Sequence, residues 1–179
     1  MTLFDPMCGS GTILAEAAQM LAGIPPGLHR DFAFEKFAGF SKAEWSAIKA
    51  SVKPNPLPTE PTIFGSDISG DMVSMTRNNL NKAGIRFEVP LKQIEAQEVK
   101  APSETPGILL TNPPYGERIG VRGDSTMEAD DMAKEFFSAF GTTLKQRFAG
   151  WKVFLFTADL GLPKPVSYTH LTLPTICSV

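Results

Sequence analysis

Short apolar runs alternate with longer segments of helical periodicity, beginning with the first residues of the chain. A strand is predicted at residues 2–5. A helix is expected after it, because four apolar residues recur on one helical face, namely Leu14, Ala17, Ala18 and Leu21. Residues 23–61 form a long connection with one amphipathic piece and then several prolines. This connection is interpreted as an insertion that carries one helix.

The same alternation continues after the insertion. A second strand is predicted at residues 62–67, and Ser69 is placed to cap a helix that ends before Gly84. Residues 87–94 are expected to form an edge strand, because Pro90 lacks an amide hydrogen for a central one.

Two further strands enclose a long helix. A short buried strand is predicted at residues 107–111 and a fifth at 152–157. Between them, apolar residues at steps of three and four predict a helix that ends near Gly150 and packs its phenylalanines in the core. Strands alternating with helices indicate an α/β fold, with a parallel sheet covered by helices on both faces.

Composition narrows the class of protein. The chain has 179 residues, which suits one domain, and its 17 basic and 19 acidic residues give a net charge of -2. No strong field would draw a polyanion to it. The two cysteines, Cys8 and Cys177, make a disulfide framework or a structural zinc site unexpected, and a reducing, cytoplasmic location fits best. No apolar run is long enough to span a membrane.

The first candidate site is a glycine-rich turn between the first strand and helix. Open α/β sheets bind ligands at this edge. The turn reads Asp5, Pro6, Met7, Cys8, Gly9, Ser10, Gly11, Thr12. A phosphate-binding P-loop is excluded because no lysine follows Gly11, and a dinucleotide fingerprint is disfavoured because Leu14 stands where the third glycine is needed. We expect the glycines to allow close backbone approach and to leave amides free for a ligand.

This turn, with the residues to Ala18, resembles motif I of the RlmL-type ribosomal RNA guanine-N2 methyltransferases. Residues 26–30 and Trp45 are also similar to that family. The resemblance implies a class I methyltransferase fold with S-adenosylmethionine held by Asp5, Pro6, Cys8, Gly9, Ser10, Gly11 and Thr12. It implies no nucleophilic role for Cys8 and no metal, and neither His29 nor His170 has companions for a metal site.

The second candidate site follows the next two strands. Asp67 ends the second strand, where a carboxylate can accept hydrogen bonds from both hydroxyls of a ribose. The alternative role of Asp67 is to cap the helix that follows. Glu95 and Ala96 match the family position that contacts adenine, although the family usually has aspartate there and Glu98 is a neighbouring candidate.

The third candidate site, Asn112, Pro113, Pro114 and Tyr115, follows the fourth strand. The Asn112 side-chain oxygen and the Pro113 carbonyl can accept hydrogen bonds from an exocyclic amine and direct its lone pair at a methyl donor. Tyr115 can stack on a flipped base. An ordinary turn is the alternative, since Asn-Pro and Pro-Pro are common in turns. Residues 116–120 extend the resemblance to RlmL-like enzymes.

Both ends of the chain look cut. The resemblance covers residues 2–164, residues 1–165 are expected to be an incomplete catalytic domain, and residues 166–179 resemble a translated sequencing adaptor. The closing hairpin of the sheet is therefore expected to be missing. Family members also carry a THUMP region that contributes to RNA binding, and no such region is expected here.

The resemblance thus implies methyl transfer from S-adenosylmethionine to guanine N2 of large-subunit ribosomal RNA. A DNA adenine-N6 methyltransferase, or a protein glutamine-N5 methyltransferase that acts on release factors, remains open, since both share the Asn-Pro-Pro-Tyr motif. An inactive fragment that binds neither cofactor nor RNA remains open as well.

Overall fold

The structure is a computed structural model that describes residues 1–28, 30–113 and 126–156, with side chains of the last segment described from residue 132. Its five strands are β1 (Leu3–Asp5), β2 (Ile63–Asp67), β3 (Leu91–Gln93), β4 (Ile108–Thr111) and β5 (Lys152–Leu155). Its α-helices are α1 (Thr12–Ala22), α2 (Lys42–Ala50), α3 (Gly70–Lys82) and α4 (Thr126–Arg147).

All five strands belong to one parallel sheet in the order β3-β2-β1-β4-β5. The chain thus starts in the middle of the sheet, builds outward to β3, and then crosses back to β4 on the other side of β1. This reversal of strand order creates a switch point beside β1, where open α/β sheets bind ligands.

Two apolar clusters lie on opposite faces of the sheet. One contains Phe4 and Leu109 with the buried face of α4, including Phe140 and Leu144. The other contains Ile63 with residues of α1 and α3. Because side chains alternate along a strand, neighbouring residues of β1 and β2 contribute to opposite clusters. The predicted parallel sheet with helices on both faces is confirmed.

Helix boundaries follow local capping chemistry. The Ser69 side chain accepts a hydrogen bond from the Met72 amide at 3.4 Å, so Ser69 caps α3 as predicted. Gly84, with a φ of 83°, lets the chain turn after this helix. Helix α4 begins at Thr126, earlier than the apolar pattern indicated.

The predicted strand at residues 87–94 is mostly wrong. Only Leu91–Gln93 is a strand, and it lies at the edge of the sheet. The Pro90 carbonyl accepts the Gly65 amide at 3.0 Å. Because Pro90 has no amide hydrogen to donate, the paired residues of this strand begin only at Leu91. The edge position predicted from Pro90 is confirmed.

The insertion between α1 and β2 contains α2 and a short 3-10 helix, Ala33–Lys36, which the sequence analysis missed. Its aromatic rings pack on one another, with Trp45 edge-on to Phe32 and Phe34. Asn55 connects the last part of the insertion to the end of α1, because its backbone amide donates to the Ala22 carbonyl at 2.9 Å. The insertion thus folds around its own aromatic cluster.

Candidate active site

A cleft of about 310 Å³ opens at the carboxyl edge of the sheet. Its walls combine the loop after β1, the end of β2, the loop after β3, the residues after β4 and one position of α4. The lining residues are Pro6, Met7, Gly9, Asp67, Ile68, Ala96, Gln97, Asn112, Pro113 and Phe136. Its size and mainly apolar lining with a few polar groups are typical of a small-molecule site.

The glycine loop after β1 is held by its own amides. The Cys8 amide donates to the Ser66 carbonyl at 2.9 Å, and the Gly11 amide donates to the Cys8 carbonyl at 2.8 Å. The Gly9 amide donates to Asp67 Oδ2 at 2.9 Å. The expectation that these amides are free for a ligand is therefore wrong. These three amides are therefore used inside the protein and hold the loop in shape.

Helix α3 fixes the shape of the same loop. Thr76 donates its hydroxyl to the Gly9 carbonyl at 2.7 Å, and the Asn79 side chain donates to the Ser10 carbonyl at 2.9 Å. Gly11 has a φ of 85° and lies so close to Thr76 that a Cβ there would be 2.6 Å from the threonine methyl. Glycine is thus required at Gly11 for both conformation and space.

Asp67 presents its carboxylate to the cleft from the end of β2. Its Oδ1 accepts the Ser69 amide and its Oδ2 the Gly9 amide, each at 2.9 Å. Each carboxylate oxygen has a further lone pair, so both can still accept a hydroxyl from a ligand. Since the Ser69 side chain caps α3, the alternative that Asp67 is the helix cap loses its main support.

Asp5 lies beneath the cleft and not on its wall. It is 1% exposed, and its Oδ1 accepts the Thr111 hydroxyl at 2.7 Å and the Met7 amide at 3.2 Å. Burial raises the pKa of Asp5 to about 7, and these two hydrogen bonds only partly oppose the effect of burial. Asp5 thus supports the loop from below.

Among the other predicted residues of the loop, Cys8 is buried, whereas Ser10 and Thr12 are exposed. Cys8 packs in the apolar cluster with Leu14 and Ile63, and burial raises the pKa of its thiol to about 12. The thiol is therefore protonated at neutral pH and unsuited to nucleophilic attack. Ser10 and Thr12 are exposed and, like Gly11, are not on the cleft wall.

Asn112 and Pro113 line the cleft from the end of β4, next to β1 in the sheet. Asn112 is exposed, and Pro113 is buried directly after β4. The other two residues of the predicted motif, Pro114 and Tyr115, lie outside the described residues, as do His29 and His170. The structure thus brings Asn112 and Pro113 into the same cleft as Asp67.

The loop after β3 contributes different residues from those predicted. Ala96 and Gln97 line the cleft, whereas Glu95 and Glu98 are exposed and do not. Helix α4 holds this loop, since Thr143 donates its hydroxyl to the Gln97 carbonyl at 2.6 Å. Gln97 carried no signal in the sequence beyond its place next to Ala96.

Three apolar residues of the cleft were also missed. Met7 lies inside the glycine turn and Ile68 directly follows Asp67, so adjacency was the only available signal. Phe136 belongs to the helical stripe that was predicted to be entirely core. It stacks on Phe140 with ring centroids 6.1 Å apart, and it also reaches the cleft.

Within the described ranges, no group of three or more histidine, cysteine, aspartate or glutamate residues is placed to hold a metal ion. Among the helices described, none is long and apolar enough to cross a membrane.

The strand order, the glycine turn after β1, the carboxylate after β2 and the Asn-Pro pair after β4 together define a class I methyltransferase domain. The sequence model of the family described as "RMKL-like, methyltransferase domain" matches residues 1–171. The chain belongs to this family. This confirms the fold class and the family that the sequence motifs indicated.

Curated relatives include the protein named ribosomal RNA large subunit methyltransferase K/L from two bacteria. The Shewanella baltica protein is 37% identical over 166 residues, which are 90% of this chain and 22% of that protein. The Psychromonas ingrahamii protein is 36% identical over 187 residues, or 98% of this chain and 24% of that protein. The chain thus spans about a quarter of the length of these relatives.

Solved structures show the same fold. A possible methylase from Clostridium difficile 630 is 30% identical, with a TM-score of 0.79 over 93% of this chain and 42% of that chain. A protein described as a methyltransferase, solved with SAH, is 29% identical, with a TM-score of 0.73 over the same shares. A predicted N6-adenine-specific DNA methylase from Listeria monocytogenes is 26% identical, with a TM-score of 0.76 over 92% of this chain and 41% of that chain. SAH is the demethylated product of S-adenosylmethionine, so this family evidence supports the predicted cofactor.

Proposed function

We propose that the chain is the catalytic part of a cytoplasmic enzyme that methylates the N2 amine of a guanine in large-subunit ribosomal RNA. One observation carries the proposal: Asp67 and the pair Asn112 and Pro113 face a single cleft. The names of the curated relatives support ribosomal RNA as the substrate. The choice of guanine N2 rests on the resemblance of the three motifs to RlmL-type enzymes.

Asp67 and the glycine loop are proposed to bind S-adenosylmethionine. The fit is chemical: Asp67 retains acceptor capacity on both oxygens for ribose hydroxyls, and Gly9 permits close approach beside it. Ile68 and Ala96 offer apolar surface for an adenine ring. The cofactor supplies an electrophilic methyl group on a positively charged sulfur, and the loop lacks the lysine after Gly11 that a phosphate-binding P-loop needs.

Asn112 and Pro113 are proposed to orient the amine of the acceptor base. The Asn112 side-chain oxygen and the Pro113 carbonyl can each accept one N–H, which turns the nitrogen lone pair toward the methyl donor. An amine conjugated to a purine ring is a weak nucleophile, so orientation supplies most of the help. The proton can leave after transfer, and no strong general base is required. Pro114 and Tyr115 are proposed to complete this site, with Tyr115 stacking on the base.

A DNA adenine-N6 methyltransferase is the second candidate, favoured by the name of the Listeria relative. Adenine N6 is also an exocyclic amine and would fit the same pair of acceptors. The net charge of -2 favours neither nucleic acid, because the chain has no strong positive field of its own.

A methyl-acceptor screen tests the proposal. The chain is incubated with methyl-labelled S-adenosylmethionine and, separately, unmethylated large-subunit ribosomal RNA, unmethylated DNA, or release-factor protein. Nucleoside mass spectrometry should find N2-methylguanosine in the RNA arm. Label in adenine N6 of DNA or in glutamine would overturn the proposal and identify the competing activity. No label in any arm, although the folded chain binds SAH, would also count against it.

A further inference from the structure

A buried hydrogen bond joins the two sides of the cleft from below. Thr111 donates its hydroxyl to Asp5 Oδ1 at 2.7 Å. Thr111 is 0% exposed and Asp5 is 1% exposed, so water does not compete for either group. A hydrogen bond in such low-dielectric surroundings is electrostatically stronger than one exposed to water.

This hydrogen bond joins two residues that directly precede residues of the cleft wall. Asp5 directly precedes Pro6 and also accepts the Met7 amide at 3.2 Å, and both of those neighbours line the cleft. Thr111 directly precedes Asn112. Strands β1 and β4 are adjacent in the sheet, and their last paired residues lie one position before Asp5 and two positions before Thr111. The side-chain bond therefore continues the connection between the strands beyond the backbone ladder.

Hydrophobic packing alone does not favour a polar pair at this place. A buried carboxylate costs stability unless its partners offset the loss of water, and an apolar pair of similar volume is often at least as stable. Phe4 and Leu109, which lie one and two positions earlier on the same strands, already supply apolar packing. Unlike apolar contacts, the hydrogen bond has a preferred distance and angle. It can therefore fix the residues after Asp5 relative to the residues after Thr111.

We propose that Thr111, through its hydrogen bond to Asp5, is a positioning residue that fixes Asn112 and Pro113 relative to the cofactor loop. This inference rests on the function proposed above. Methyl transfer needs the amine and the donor within a narrow range of distance and angle, and a displacement of about 1 Å can cost roughly a hundredfold in rate. Loss of the bond should therefore reduce turnover more than it reduces cofactor binding.

Three threonine variants separate positioning from general stability. Thr111→Val keeps the shape and removes the hydroxyl, and Thr111→Ser keeps the hydroxyl. Thr76→Val is the matched comparison, because Thr76 is also 0% exposed and its hydroxyl donates at 2.7 Å, but to the Gly9 carbonyl of the cofactor loop. All three variants are measured in the whole chain for turnover on unmethylated large-subunit ribosomal RNA, for SAH affinity and for urea unfolding.

We expect Thr111→Val to affect mainly kcat and Thr76→Val to affect mainly SAH binding. Thr111→Val is expected to lower kcat by about 10- to 100-fold while the Kd for SAH changes by less than about twofold. Thr111→Ser should restore most of the turnover. Thr76→Val should weaken SAH binding with a smaller effect on kcat. Wild-type kcat in Thr111→Val, or a kcat in Thr111→Ser as low as in Thr111→Val, would overturn the inference.

A second measurement decides the inference without activity. Selective ¹⁵N labelling of asparagine reports the Asn112 side-chain amide, identified by its loss in Asn112→Asp. The signal should shift or broaden in Thr111→Val and match wild type in Thr111→Ser and Thr76→Val. An unchanged signal in Thr111→Val would overturn the positioning role. If wild type transfers no methyl group while these shifts occur as expected, the proposed function fails and the positioning role stands.

Discussion

Asp5 makes the stability of this domain dependent on pH in an unusual direction. Most carboxylates in folded proteins favour the folded state when they are ionised. Asp5 is different, because burial, with a smaller contribution from the negative charge of Asp67, raises its pKa from 3.8 to about 7. The folded state therefore binds a proton that the unfolded state has released at pH values between these two.

The size of the effect follows from the change in pKa. Stability from this group is fully present below pH 3.8 and is lost as the pH rises to about 7. Each pH unit in that window costs about 1.4 kcal/mol, so the total is about 4 kcal/mol. This is a large part of the 5–15 kcal/mol that typically separates folded from unfolded states.

Asp5→Asn isolates this contribution. The asparagine oxygen can still accept from Thr111 and Met7, but it carries no charge. Wild type should lose stability relative to Asp5→Asn as the pH rises. The unfolding free energy of Asp5→Asn minus that of wild type, measured in urea, should increase by about 1.4 kcal/mol per pH unit from pH 4 to 7 and then level off. A difference that stays constant, or that shrinks as the pH rises, would refute the reasoning about this buried carboxyl group.

Three further predictions concern the cleft and the sheet. Asp67→Ala should weaken SAH binding by about 1 to 3 kcal/mol in a calorimetric titration, since it removes a charged acceptor; equal affinity would remove Asp67 from the site. Asn112→Ala should keep SAH affinity near wild type and lower turnover by orders of magnitude in the methyl-acceptor assay; an unchanged rate would exclude amine positioning. Gly65→Ala should lower the unfolding free energy by about 1 to 3 kcal/mol, because its Cβ would overlap Leu14 and lie 2.9 Å from Leu91. Equal stability of Gly65→Ala and wild type in urea would contradict that close packing.

The sequence was most informative about features that depend on the local pattern of apolar and polar residues. Hydrophobic patterns located four of the five described strands well and only part of β3. The residues at the ends of the strands included Asp67, Asn112 and Pro113, which line the cleft. These three residues share one cleft because the carboxyl ends of parallel strands meet at one edge of the sheet. Adjacent positions such as Ile68 were missed, although the same rule places them there.

The remaining errors have a common physical cause, which is contact between segments distant in sequence. The loop amides were expected to face a ligand, but Asp67 and Ser66 from β2 bind two of them. Gln97, rather than Glu95, reaches the cleft in a loop that Thr143 of α4 holds from the far side. A single sequence contains no local pattern from which these tertiary hydrogen bonds could be read.

The central claim is that the cleft binds an adenosyl ligand without phosphates, and a calorimetric titration of the purified chain tests it most directly. SAH is titrated first, followed by ATP and NAD as phosphate-bearing controls, with circular dichroism to confirm that the chain is folded. We expect saturable binding of SAH at one site and no comparable binding of ATP or NAD. A folded chain that does not bind SAH saturably, or that binds ATP or NAD more tightly, would contradict it.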